Sequence, residues 1–176
     1  MLVLIGPSGS GKTTIEEELI KRGYKRAISC TTRYPRKGEK HALNYFFISE
    51  DKFKENIQKG LMGEFSSYKG HLYGLPISEI KNDAVAVLEP NGYKTLKQKK
   101  NLSIYGCYLF CNEDVRRQRM LVRGDLPEQI EERILFDREW FQGMENETDM
   151  VSDTSYKTVE EIVDYILKNK QDEVAN

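Results

Sequence analysis

The stretch MLVLIGPSGSGKTT, Met1 to Thr14, decides the fold. Met1–Ile5 is a continuous apolar run, the mark of a strand buried on both faces of a parallel sheet. Gly6, Gly11, Lys12 and Thr13 then fit the pattern G-x-x-x-x-G-K-[ST]. From Lys12 to Arg22 the periodicity predicts a helix: Ile15, Leu19 and Ile20 share a face, Glu16–Glu18 lie near the positive N-terminus, and Gly23 stops it. A buried strand, a glycine-rich loop and a helix start together make a phosphate cradle. Glycines let backbone N–H groups turn inward around phosphate oxygens, and the helix aims its positive end at them. Lys12 is expected to neutralise the β- and γ-phosphates, and the Thr13 hydroxyl to bind Mg²⁺. Gly6, Ser8, Gly9, Ser10, Gly11, Lys12, Thr13 and Thr14 are the expected contacts of a nucleoside triphosphate.

Outward from this loop, AVAVLE (84–89) and LSIYGCYLFC (102–111) read as further buried strands and DMVSD (149–153) as a brief one. YKRAIS and NYFFIS are short strand candidates. Helices are predicted over EDKFKENIQKG, EDVRRQRMLVRG and PEQIEERILFDREWFQGM, with a polar break, GDL, between the last two. TVEEIVDYILKNK closes the chain as an amphipathic helix with a capping box at Thr158 and Glu161, and QDEVAN is expected to fray. KTLKQKK, Lys94–Lys100, reads as a solvated helix end. Strands alternating with helices imply an α/β sheet. The stretch from Thr31 to Leu75 breaks the rhythm: EFSSYKGHLYG alternates and turns at Gly70 as a hairpin does, so this stretch reads as an insertion.

The chain has 176 residues, enough for one domain with a sizeable core. Lys plus Arg total 27 against 28 Asp plus Glu, a net charge of −1, so nothing draws the whole molecule to nucleic acid. No apolar run is long enough to span a bilayer, and MLVLIG lacks the basic leader of a signal peptide, so a cytoplasmic location is expected. Cys30, Cys107 and Cys111, with His41 and His71 far apart, give no zinc spacing and read as buried thiols.

The phosphate loop does not name an acceptor, but SCTTRYPRKGEK (Ser29–Lys40) narrows it. Pro35 disfavours helix at Tyr34, so Arg33 and Arg36 are presented from a stiffened loop. Two guanidinium forks suit a phosphate monoester. Tyr45, Glu64 and Tyr73 recur in the same insertion.

SCTTRYPRKGEKHALNYFF followed by GEFSSYKGHLYG resembles the nucleotide-monophosphate region of guanylate kinases, and with the phosphate loop the resemblance covers nearly the whole chain. It implies that Arg33, Arg36, Tyr45 and Tyr73 hold the monophosphate, with Ser29 and Glu64 near the purine. Guanine presents N1–H and N2–H donors side by side, which one carboxylate accepts in two parallel bonds; adenine has an acceptor at N1 instead. RMLVRGDLPEQIEER resembles the family's lid, so Arg119, Arg123 and Arg133 are expected to close over the transferring phosphoryl group. The implied architecture is a three-layer α/β fold in one domain, 1–176. Its core is 1–30, 76–115 and 137–170, its acceptor region 31–75 and its lid 116–136. The implied reaction is ATP plus GMP or dGMP giving ADP and the diphosphate, in a monomer or homodimer with no nucleic-acid or membrane partner.

Two positions depart from the family. Where it has D-I-D-x-Q-G, this chain has VLEPNG, leaving Glu89 alone to approach the metal or the base. Leu75 stands where the family prefers a small hydroxyl. Another acceptor, a different deoxynucleotide or a sugar phosphate, therefore stays open. A non-catalytic binding module is the other alternative, against which the intact GPSGSGKTT argues.

Overall fold

The computed structural model describes residues 1–36, 38–68 and 70–174. In chain order the elements are β1 (Leu2–Ile5), α1 (Lys12–Lys21), β2 (Lys25–Arg26), β3 (Cys30–Thr31), β4 (Phe46–Phe47), α2 (Glu50–Gln58), β5 (Met62–Tyr68) and β6 (His71–Pro76). A short 3₁₀ turn (Ile77–Glu79) leads to β7 (Ala84–Val87), α3 (Pro90–Lys97), β8 (Tyr105–Phe110), α4 (Glu113–Arg123), α5 (Pro127–Trp140), α6 (Met144–Glu147), β9 (Met150–Asp153) and α7 (Val159–Val174).

The main sheet has five strands in the order β2-β7-β1-β8-β9, and every pairing is parallel. β1 sits at its centre, and its side chains alternate between two cores. Val3 and Ile5 face a layer containing Tyr93 and Leu96 of α3, with Phe141 and Met144. Leu2 and Leu4 face Ile15 and Leu19 of α1 and Ile162, Val163 and Ile166 of α7. Successive strand side chains point to opposite faces, so a strand covered by helices on both sides has no polar position left, which is why the run is unbroken. Each of these fully buried aliphatic side chains stabilises the fold by about 1.5–3 kcal/mol.

A second sheet, β4-β3-β6-β5, is built by the inserted region. β5 and β6 form the expected hairpin, with Gly70 in a left-handed conformation (φ 77°) that only glycine adopts without strain. Phe53 of α2 is fully buried against Cys30 and Met62 beneath this sheet. β3 was not legible as a strand, being two residues inside the polar loop.

Three expectations meet differences in the structure. KTLKQKK is a helix end solvated except at Leu96, which is fully buried and makes α3 a core-packed helix, while the half-exposed Lys97 donates its Nζ to Asp149 at 2.5 and 2.7 Å. The helix predicted to Met144 stops at Trp140, because Gly143 takes a left-handed turn (φ 81°) into α6. Of QDEVAN, Gln171–Val174 continue α7, while Ala175 and Asn176 lie outside the described residues.

The packing of α3 on β8 leaves no room at Gly106, where a Cβ would run into the ring of Tyr93. Gly106 is also tied to Asp149, whose Oδ2 accepts its N–H at 2.7 Å. Gly106→Ala is therefore expected to destabilise the protein by about 1–3 kcal/mol through overpacking, read as a lower urea midpoint with an unchanged slope. A parent-like midpoint would show that α3 can move away from the sheet.

Candidate active site

β1 delivers the chain at Gly6 into the loop that leads to α1, and the loop is fastened from outside. The Ser8 N–H donates to Asp137 Oδ2 at 2.9 Å, and the Ser8 carbonyl accepts Arg116 Nε at 2.7 Å. The Gly9 carbonyl accepts Arg119 Nη1 at 3.3 Å, and the Ser10 carbonyl accepts the Thr154 hydroxyl at 2.8 Å. Gly9 and Gly11 hold left-handed φ of 77° and 92°, and a Cβ on Gly9 would lie 3.0 Å from the Arg116 carbonyl. Glycine is required here both for its backbone angle and for clearance.

Lys12 folds back over the loop, its ammonium donating to the Gly6 and Pro7 carbonyls at 2.5 and 2.9 Å. Burial pushes its pKa down to about 8, opposed by the carboxylates of Glu89 and Asp137. Thr13 and Thr14 are exposed at the start of α1.

The residues expected on the acceptor side gather at the second sheet. Arg33 lies over the rings of Tyr45 (5.7 Å) and Phe47 (5.8 Å), and the Tyr45 and Tyr73 rings meet edge to face at 6.2 Å. Glu39 occupies the Arg33 fork, accepting from Nη1 and Nη2 at 2.9 Å each. Hydrogen bonding to Glu39 raises the guanidinium's pKa and lowers the carboxyl's. Arg36 contributes its backbone N–H to Glu39 at 2.6 Å, while its side chain stands exposed and does not join the Arg33 fork. The hydroxyls of TTR hold the loop itself: Thr31 Oγ1 accepts the Arg33 N–H at 3.2 Å, and Thr32 Oγ1 accepts the Leu72 N–H at 2.9 Å. Ser29 is half-buried just before β3, its carbonyl bonded to the Phe46 N–H at 2.9 Å.

Glu64, on β5, is 5% exposed and packs against Gly92 in the first turn of α3, where a Cβ would sit 2.8 Å from its Oε2. Burial raises its pKa to about 7, partly offset by the Leu75 backbone. Glu89 is the N-cap residue of α3, exposed, with its Oε2 accepting the indole N–H of Trp140 at 3.1 Å. Leu75 is fully buried in the core alongside Leu88 and Tyr93.

The three helical arginines do not converge. Arg119 is spent on the loop and on the Thr154 carbonyl at 2.6 Å, although it shares a helix with Arg123. Arg123 and Arg133 share one partner, Asp125: Arg123 Nε donates to Oδ1 at 3.2 Å and Arg133 Nη1 to Oδ2 at 3.1 Å.

Sequence reasoning passed over Arg116, Asp137, Glu39 and Trp140. For two of them a signal existed. Arg116 stands four residues before the buried Met120 on α4, and Asp137 follows Ile130 and Ile134 on the inner stripe of α5. A charge on an apolar stripe asks for a buried partner. Arg116 and Asp137 are 4% and 5% exposed and pair with each other.

A parallel sheet whose central strand ends in a glycine-lined loop, with a lysine folded into it, defines a P-loop nucleotide-binding fold. A family model described as guanylate kinase matches residues 1–171. A guanylate kinase of Prochlorococcus marinus subsp. pastoris is 33% identical over 178 residues, covering 96% of this chain and 95% of that one. One from Lactobacillus acidophilus is 36% identical over 108 residues, covering 56% of this chain and 53% of its own length. Among solved structures, the guanylate kinase of Anaplasma phagocytophilum superposes with a TM-score of 0.72 at 20% identity, over 98% of this chain and 85% of that one. The chain belongs to the guanylate kinase family.

Glu64 gives a pH-dependent signature. Its folded pKa, about 7, lies above the ordinary 4.5, so between those values the folded state keeps a proton that the unfolded chain has released. Stability must therefore fall as pH rises through that window. Glu64→Gln is expected to remove this slope, leaving the variant about 2–3 kcal/mol more stable than the parent at pH 8 and equal to it near pH 4. Parallel stability-against-pH curves for the two proteins would disprove the buried-carboxyl assignment.

Proposed function

We propose that this protein transfers the γ-phosphoryl group of ATP to GMP or dGMP, yielding ADP and the diphosphate. The observation that carries the reading is the N-terminal end of α3. Its N-cap residue Glu89 acts electrostatically on Lys12, and Gly92, three residues on, packs against the Glu64 carboxyl. One helix end thus reaches from the donor loop to the carboxylate assigned to the base. A buried carboxylate with a raised pKa suits guanine, because the paired N1–H and N2–H donors compensate the charge that burial penalises.

In this reading Gly6 and Ser8–Thr14 hold the triphosphate, and Arg33, Arg36, Tyr45 and Tyr73 the acceptor phosphate, with Ser29 beside the purine. Residues 31–75, which build most of the second sheet, are the acceptor region, and 116–136, on α4 and α5, the lid. Arg123 and Arg133 would leave Asp125 to meet the transferring group, while Arg119 acts from the outer side of the loop. The acceptor oxygen is already anionic at neutral pH, so no general base is required. Catalysis is positioning plus charge neutralisation, and closure excludes water.

Mg²⁺ fits the donors present. Thr13 offers an exposed hydroxyl beside Lys12, and Glu89 an exposed carboxylate that could act through water. Among the described residues no three His, Cys, Asp or Glu side chains converge, which suits an ion completed by water and nucleotide oxygens. When bound, it would neutralise charge on the β- and γ-oxygens. Three free, buried cysteines are in keeping with a reducing cytoplasm.

A second reading, a broader acceptor range, is favoured by one observation. Glu89 is engaged by Trp140 and Leu75 is in the core, so neither adds a second polar group for the base. ADP release measured across the common NMPs and dNMPs decides between the two, with GMP and dGMP expected to dominate. Comparable rates with pyrimidine or adenine acceptors would overturn the guanine assignment.

Lys12→Ala is expected to lower kcat by about two to four orders of magnitude while leaving the thermal midpoint unchanged or raised, since it removes a buried charge. Near-normal turnover in the folded variant would refute the kinase reading. Glu64→Gln should cost about 2–4 kcal/mol in kcat/KM for GMP and much less for AMP, because the new NH₂ faces guanine's donors. Equal losses for both acceptors would make Glu64 a structural residue.

A further inference from the structure

We propose that the buried pair Arg116–Asp137 is a positioning device for the donor phosphates, setting two successive peptide planes of the phosphate loop in opposite senses. The inference rests on the donor-site reading above and adds two residues to it. In a trans peptide the C=O of one residue and the N–H of the next point in opposite directions. Asp137 accepts the Ser8 N–H at 2.9 Å, which turns the Pro7 carbonyl to the other side of the loop. There it receives Lys12 Nζ at 2.9 Å and the Ser10 N–H at 3.2 Å. Arg116 Nε donates to the Ser8 carbonyl at 2.7 Å, which turns the Gly9 N–H to that same inner side.

The next peptides continue the pattern. The Gly9 carbonyl is held by Arg119 and the Ser10 carbonyl by Thr154, so the Gly11 N–H is also directed inward. Three consecutive carbonyls are thereby fastened to the outside of a loop whose task is to offer N–H groups to an anion. The pair itself is closed by Arg116 Nη2 to Asp137 Oδ2, and the two residues are 4% and 5% exposed. It also fixes the loop to α4 and α5, the two helices that carry Arg123 and Arg133. The lid helices and the donor loop therefore share one point of attachment.

The roles predict a split between donor and acceptor parameters. The test replaces both charges together, Arg116→Leu with Asp137→Leu, because an apolar pair of similar volume avoids leaving one buried charge alone. The thermal midpoint is expected to hold, while the Kd for ATP by calorimetry and the KM for ATP rise by about 10- to 100-fold. The KM for GMP should stay within about twofold, and hydrogen exchange at the Ser8 amide should accelerate. Parent-like ATP affinity in the folded double variant would overturn the proposal.

Should the double variant fail to fold, Arg116→Met with Asp137→Asn decides. The pair then carries no charge and Asn can still accept the Ser8 N–H, but the guanidinium that donated to the Ser8 carbonyl is gone, so an intermediate loss of ATP affinity is expected and parent-like affinity overturns the proposal. ATP binding and hydrogen exchange need no acceptor. A parent that binds ATP yet fails to phosphorylate GMP would sink the guanylate reading and leave these measurements decisive for the clasp.

Discussion

A loop that binds anions through its backbone must find other partners for its carbonyls, because every peptide carries both dipoles. In this chain those partners are side chains from distant segments. Arg116, Arg119 and Thr154 donate to the carbonyls of Ser8, Gly9 and Ser10, and Asp137 accepts the outward-facing N–H of Ser8. The rest of the fold can be seen as the scaffold that brings these groups to one place. β1 carries the loop out of the sheet, β8 and β9 lead into the α4 and Thr154 segments beside it, and α5 returns with Asp137. The parallel pairing matters because it puts the ends of all these strands on the same edge.

α3 links this edge to the second sheet. Proline at its first position and Glu89 at its N-cap start it directly after β7, so its N-cap carboxylate acts electrostatically on Lys12 while its first turn packs against Glu64. Gly92 is what lets β5 approach so closely; any side chain there would displace the Glu64 carboxyl. The same closeness desolvates Glu64 and raises its pKa to about 7. Packing and electrostatics are here one fact.

The donor half of the site was legible because it is local: strand, glycines, lysine and helix start fall within fourteen residues, and each step has its own physical requirement. The residues proposed for the acceptor, Arg33, Tyr45 and Tyr73, were singled out through a family resemblance, and in the structure they lie around one guanidinium. What stayed hidden is long-range. Arg116 lies 108 residues from the Ser8 carbonyl it holds, and Asp137 lies 129 from the Ser8 N–H. Within RRQR, Arg116 reads like its solvated neighbours, and only its phase relative to Met120 sets it apart. The buried face of α3 stayed hidden for a related reason. Its lysines dominate the composition, yet Tyr93 and Leu96, three residues apart, decide which face is buried.

Four of the cations assigned to nucleotide phosphates are already occupied by the protein itself. Lys12 rests on two loop carbonyls, Arg33 on Glu39, and Arg123 and Arg133 on Asp125. Nucleotide binding is then an exchange of partners, and its free energy is a difference between two sets of charge-assisted hydrogen bonds. A carboxylate carries one negative charge and a phosphate monoester close to two at neutral pH, so at the three arginines the exchange favours the phosphate while a monoanion gains little over the internal partner; Lys12 gives up only neutral carbonyls. The resting surface therefore offers stray anions no bare cluster of positive charge at these four side chains, in keeping with a molecule whose net charge is −1. Discrimination against the wrong anion begins before any nucleotide arrives.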